Sequence, residues 1–291
     1  MQTIKREDAI TRSESAAADK DSYGAVITKG YHVIGGNSKV LVSGSARVVV
    51  IEHARVRASG NAEVQADGNA FVEASGNVHV IACGKAAVFA GGKCKVDVAG
   101  DATVLASGKA RVTASENAIV RAVDNARVTA RDSARVSCTD KTNVVAYGRA
   151  CVTARGDARV EAYDRAAVDA LGCCEVIGCD NSTISANGRC IIEARDGVHV
   201  SARGTVEIFA RDSALIKAGG KTKVYAEANA CVLANEEASI NAHGNAVVEA
   251  NDTVHVNAHE NSVVRAYEKA TVKLHGEAQK IDTFCEIVLP A

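Results

Sequence analysis

Residues Gly60–Ser75 read GNAEVQAD followed by GNAFVEAS, one eight-residue phrase given twice. Each phrase opens on Gly and sets Ala, Val and Ala at alternate places, with polar or variable residues between them. Alternation at spacing two is the period of a strand, whose successive side chains point to opposite faces. The glycine supplies a corner, because it takes a positive φ without steric cost. A helix is excluded: spacing two makes no helical stripe, and a Gly or Asp every eight residues would interrupt one repeatedly.

Outward from this pair, the phrase runs from Gly36 to His275 as thirty octads without an insertion or deletion. With the places numbered from the corner, place five is Val or Ile in all thirty octads. Place seven is Ala in twenty-four and place three is Ala in eighteen. Place one is Gly in sixteen, Asp in eight and Glu in five. The even-numbered places carry most of the charge, and the acids at place one carry the rest. Near-identical short strands with no indels fit a stack in which each unit pairs with its equivalents above and below. The expected fold is all-β, a single elongated β-solenoid over residues 36–275. Its core is the line Val40, Val64, Val88, Val112, Val136, Val160, Ile184, Ile208, Val232 and Val256.

The coil is expected to hold sixteen residues, two strands per turn, with a three-sided coil of twenty-four as the alternative. Place one alternates Gly156, Asp164, Gly172, Asp180, Gly188, Asp196, Gly204, Asp212, Gly220. Phe89 and Leu105 share place six at the sixteen-residue spacing, as do Phe209 and Tyr225. His243, His259 and His275 share place eight in the same way.

The ends depart from the pattern. Residues 1–35 read as a polar tail and cap, in which Tyr23–Gly35 is strand-like but out of register and His32 stands where Val is due. Residues 276–291 read as the other cap. Lys280 at place five breaks the pattern, and Phe284, Ile287, Val288 and Leu289 then form the bulkiest apolar cluster of the chain. That cluster is a capping lid or a surface that joins copies.

Composition bounds the rest. Of 291 residues 47% are apolar, yet only 3% are aromatic, with no Trp, so the interior must be Ala and Val and therefore thin. Ordering a backbone costs about 1–2 kcal/mol per residue, against about 1.5–3 kcal/mol for one buried Val, so no octad folds alone. The 34 basic and 35 acidic residues give a net charge of −1, which offers nucleic acid no general attraction. Arg47, Arg55, Arg111, Arg127, Arg135 and Arg159 at place four mingle with Glu63, Glu161 and Glu193, which predicts cross-strand charge pairs. No apolar run is long enough for a membrane span. The polar start, Met1–Lys20, lacks the apolar centre of a secretory signal, so a cytoplasmic location is expected, with a virion as the alternative.

Candidate chemistry is sparse. No loop interrupts residues 36–275, so no pocket of a few hundred Å3 is expected. There is no P-loop, G-x-S-x-G, H-E-x-x-H or paired Cys-x-x-Cys, so neither catalysis nor a cofactor is expected. Cys94, Cys174 and Cys190 fall at inward places as substitutes for Ala, not as a disulfide framework. His243, His259 and His275, with His255 in the same block as His259, have metal-ligand chemistry. No carboxylate or Cys completes a tetrahedral set around them, so no metal is expected. The apolar pairs Phe89–Leu105 and Phe209–Tyr225 are candidate partner contacts.

An octapeptide with Gly corners, small inward residues and a secondary period of sixteen resembles the bacterial ice-nucleation proteins. GNA-V-A octads such as those at Gly60 and Gly68 are also similar to repeats of uncharacterised actinobacterial and phage proteins. The resemblance covers residues 36–275 and implies the coiled fold and a phage or prophage source. The outward Thr-x-Thr array of the ice-nucleation family is missing: no octad has Thr at both places four and six, and Thr103, Thr113, Thr129, Thr153 and Thr183 are scattered. The expected function is a non-catalytic structural rod or interaction scaffold that joins end to end, its partner itself or an unidentified protein. The alternative is a surface that recognises a protein, glycan or ice through one face.

Overall fold

A computed structural model describes residues 23–281. The chain divides into two compact units, Met1–Ser137 and Cys138–Ala291. Both are β-solenoids of two parallel sheets, and the described residues contain no helix.

In the first unit the odd octads supply one sheet and the even octads the other. Lys39–Val42 pairs with Arg55–Ala58, which pairs with Phe71–Ala74, which pairs with Ala87–Ala90. Arg47–Val50, Glu63–Ala66, His79–Ala82 and Lys95–Val98 pair in the same way in the other sheet. Every one of these partners lies sixteen residues away, as in Val48↔Val64. The coil is therefore two-sided, and the three-sided alternative falls. Ladders also run upstream of Gly36. Tyr31–Ile34 holds the sixteen-residue register, with His32 opposite Val48, whereas Ala25 pairs with Val40 at fifteen.

The second unit repeats the scheme. Its odd sheet runs from Cys151–Gly156 through Leu215–Ala218, Cys231–Ala234, Val247–Ala250 and Val263–Ala266 to Gln279–Ile281. Its even sheet runs from Asn143–Ala146 through Arg159–Ala162 to Thr271–Leu274. Lys280 stands opposite Val264, so the ladder passes beyond His275. Phe284, Ile287, Val288 and Leu289 lie outside the described residues.

Why the sequence takes this form follows from its hydrogen bonds. Places three, five and seven point between the sheets: Ala62, Val64, Val88, Val160 and Ile208 are fully or almost fully buried. Corner peptides bond to the coil beneath as well, as in Asn61 N–H to Gly44 O (2.9 Å) and Glu63 N–H to Ala46 O (2.9 Å). The place-one N–H finds its acceptor in the next coil, where a carboxylate at place one takes it. Gly148 donates to Asp164, Asp164 to Asp180, Asp180 to Asp196 and Asp196 to Asp212, at 2.8–3.3 Å. These acids sit at φ near 55°, a region that short polar side chains tolerate better than others. Gly and Asp therefore share place one for two reasons. Gly meets the backbone requirement, and Asp accepts the bond besides.

One stretch of the second unit turns differently. Cys151–Gly156, Ala167–Gly172, Thr183–Gly188 and His199–Gly204 are six residues long and carry the sheet into the corner. There Gly172, Gly188 and Gly204 take φ of 103–116°, and a Cβ on Gly188 would lie 2.7 Å from the carbonyl oxygen of Gly172. Only glycine fits a corner stacked this closely.

Candidate functional site

The outward places form the sheet faces, and there the predicted patch residues are neighbours. Phe89 and Leu105 are register partners in the first unit, and Phe89 also meets the Phe71 ring at 5.2 Å. Arg55 lies over the Phe71 ring. In the second unit Phe209 and Tyr225 stack at 5.1 Å with their planes 8° apart. Tyr147 and Tyr163 stack at a corner at 5.1 Å. Each stacked ring spends one face on its partner.

His243, His259 and His275 form a column along one corner of the second unit, 4.5 Å apart and nearly parallel. The lone pairs of parallel imidazoles lie in parallel planes and do not converge on one ion. His255 sits instead on the sheet face, between Ser239 and Thr271. Among the described residues no group of three or more His, Cys, Asp or Glu could hold a metal. Lost hydration, and then the charges of His243 and His275, lower the pKa of His259.

The cysteines separate by place. Cys94, Cys138, Cys174 and Cys190 are buried, whereas Cys83, Cys151, Cys173 and Cys231 are exposed, and none of these is in a disulfide. Burial pushes the Cys94 and Cys138 thiols up, and Cys174 is raised by its hydrogen bond with Cys190 and by burial. The Cys94, Cys138 and Cys174 thiols are thus held protonated, whereas the hydrogen bond from Cys174 lowers its partner Cys190 to about 7.

Ion pairs follow the coil. Arg47–Glu63 (3.0 Å), Arg57–Glu73 (2.6 Å) and Arg159–Glu175 (2.5 Å) each link residues sixteen apart. The even face of the first unit also holds a His79–Asp97 bond of 2.8 Å, with Lys95 on the same carboxylate. Burial raises Asp97, but the bonds from His79 and Lys95 outweigh it and hold the carboxyl below its ordinary range.

Contrary to expectation, the faces are not featureless. The first unit has a shallow groove of about 290 Å3 bordered by Arg57, Glu73, Phe89 and Leu105. The second has one of about 430 Å3 bordered by Leu215, Cys231, Leu233 and Val247. Both lie on sheet faces, open to solvent, where unequal side chains leave hollows between taller neighbours. The larger groove was missed because its residues are scattered along the chain. Leu215, Cys231 and Val247 line up only once the coil is known to hold sixteen residues.

The larger groove is also lined by Thr183, His199, Ser201, Lys217 and Glu249. Comparison with protein-family models, curated proteins and solved structures gives no match to this chain.

Proposed function

We propose that this chain is a non-catalytic structural scaffold whose copies join head to tail through their terminal coils. The observation that carries this reading is the state of the end strands. Among the described residues Ala25–Ile27 and Tyr31–Ile34 are paired on one side only, as are Thr271–Leu274 and Gln279–Ile281. Leu274, at an inward place, is 44% exposed, with no further strand among the described residues stacked on its own. An unpaired strand edge is a template for another strand, and the first coil of a second copy presents two strands of the same parallel kind. Such a head-to-tail contact does not close on itself, so it extends a chain of copies.

Light scattering of the full chain over about two decades of concentration tests the proposal, because association is driven by mass action. The weight-average mass should climb with concentration, and Leu274→Lys should hold it at that of a single copy. A single-copy mass for the unmodified chain throughout would overturn the reading.

A further inference from the structure

We propose that Cys174 and Cys190 are a peroxide-reactive pair that closes into a reversible disulfide and clamps two successive coils of the second unit. Glu175 pairs with Ile191 across neighbouring coils of the even sheet. The two cysteines, one residue upstream of each, are therefore stacked at place three with their side chains on the same side. Neighbouring strands lie about 4.8 Å apart, inside the range of about 4.4–6.8 Å that a disulfide allows between Cα atoms. Both side chains are at most 1% exposed, and the two thiols are hydrogen-bonded to each other. No other cysteine among the described residues has a second one sixteen residues away. At that distance on either side Cys94 has Val78 and Ala110, and Cys138 has Ala122 and Ala154.

The corner beside the pair has no side chain at place one, where Gly156, Gly172, Gly188 and Gly204 follow one another. The other corner is tied coil to coil by Asp carboxylates, as in Asp164 N–H to Asp180. A disulfide supplies such a tie where glycine cannot. Both thiols point at the bare corner: Cys190 Sγ lies 3.6 Å from the Gly172 carbonyl oxygen, and Cys174 Sγ 3.6 Å from that of Gly156. Local opening there admits a molecule the size of hydrogen peroxide. Cys190 is the attacking sulfur, because the hydrogen bond from Cys174 favours its thiolate. Its proton passes to water, the sulfur takes one peroxide oxygen and the O–O bond breaks. Cys190 becomes a sulfenic acid, and the hydroxide released picks up a proton to become water. Cys174 then attacks the Cys190 sulfur: the S–S bond forms, the S–O bond breaks, and the Cys174 proton leaves with the hydroxide as a second water. The two sulfurs together give up two electrons, and one peroxide becomes two waters. A dithiol reverses the step by exchange.

Place three is Ala in eighteen octads, so Cys174→Ala keeps the fold. The folded full chain is treated with hydrogen peroxide at neutral pH, quenched with iodoacetamide, digested with trypsin and mapped by mass spectrometry without reduction. Cleavage at Arg165, Arg189 and Arg195 separates the two cysteines, so the disulfide appears as residues 166–189 joined to 190–195. That linked species should form in the unmodified chain and in a Cys173→Ser, Cys179→Ser double variant. It should vanish in Cys174→Ala and revert with dithiothreitol. Cys94 and Cys138, also buried but without a cysteine one coil away, should stay reduced. The urea midpoint should rise on oxidation, because the bond closes a loop of the unfolded chain, and should not move in Cys174→Ala. Absence of the linked species once the exposed Cys151 and Cys231 are oxidised would overturn the proposal. Its formation only in urea, or a midpoint that does not rise, would overturn it equally. The linked species forms within one copy, so failure of head-to-tail joining leaves this readout unchanged and the two proposals fail separately.

Discussion

At the scale of the residue, departures from the consensus octad carry the information. Place three takes Thr142, Thr222 and Ser262 as readily as Ala because each hydroxyl donates to the carbonyl three residues back, at 2.6–2.9 Å. Ser182 occupies the same place, yet its Oγ is buried with no hydrogen-bond partner among the described residues. It stands next to Gly178, the one glycine at place seven, where a Cβ would lie 2.8 Å from Ile184 Cδ1 and 3.0 Å from both Ser182 Oγ and Val198 Cγ1. Larger neighbours have taken the volume of the missing methyl. Ser182→Ala should therefore stabilise the fold by about 1 kcal/mol in urea unfolding, since it removes an unsatisfied buried polar group. A loss of stability would mean that the hydroxyl has a partner after all. Ala228 departs in the opposite direction. It holds φ 55° with a Cβ and offers no acceptor to the coil beneath. Ala228→Asn should gain about 1 kcal/mol by relieving the αL strain and accepting the Asp212 N–H. Asp would gain less, because it adds a like charge to the row Asp164, Asp180, Asp196, Asp212. Denaturation midpoints of the two variants check the order.

At the scale of the element, strand and corner were legible to different degrees. The strands were fully readable, because Val64 and Ala66 alternate with Glu63 and Gln65 and one period of two decides which side is buried. The sixteen-residue coil was readable from repeated features such as Phe209 and Tyr225. The row bordering the larger groove was not, since Leu215, Cys231 and Val247 each look like ordinary variation within their own octads. The two kinds of corner were also hidden. Gly36 and Gly188 are the same letter at the same place, yet a Cβ on Gly36 would meet nothing within 4 Å, whereas one on Gly188 would strike the Gly172 carbonyl. Corner stacking is a relation between coils, and an octad read alone does not contain it. Gly36→Ala should cost about 1 kcal/mol, the αL penalty alone. Gly188→Ala should cost more than about 2 kcal/mol, because the backbone must also move. Equal losses in urea unfolding would show that the six-residue strands do not stack as described.

At the scale of the whole molecule, each unit depends on neighbour-to-neighbour contacts, so damage should stay near its origin. Val160 is fully buried and stands between Val144 and Val176 in the even sheet of the second unit. Val160→Asp places a carboxylate between two sheets of Val and Ala with no partner, a cost of several kcal/mol. In a stack of nearest-neighbour interactions that cost falls on the coil concerned and on those touching it. Amide exchange should therefore accelerate most in Asn143–Ala146, Arg159–Ala162 and Glu175–Gly178, and progressively less in strands farther along the ladder. The defect should also respond to pH in one direction. Burial raises the pKa of a carboxyl in the folded state above its unfolded value of about 3.9, so the unfolded chain releases its proton first as pH rises. The variant should thus be least impaired near pH 4 and should lose stability as pH climbs through that range. Uniformly faster exchange along the chain would show cooperative unfolding instead of local failure. Unchanged melting at neutral pH would mean that place five is not the interior.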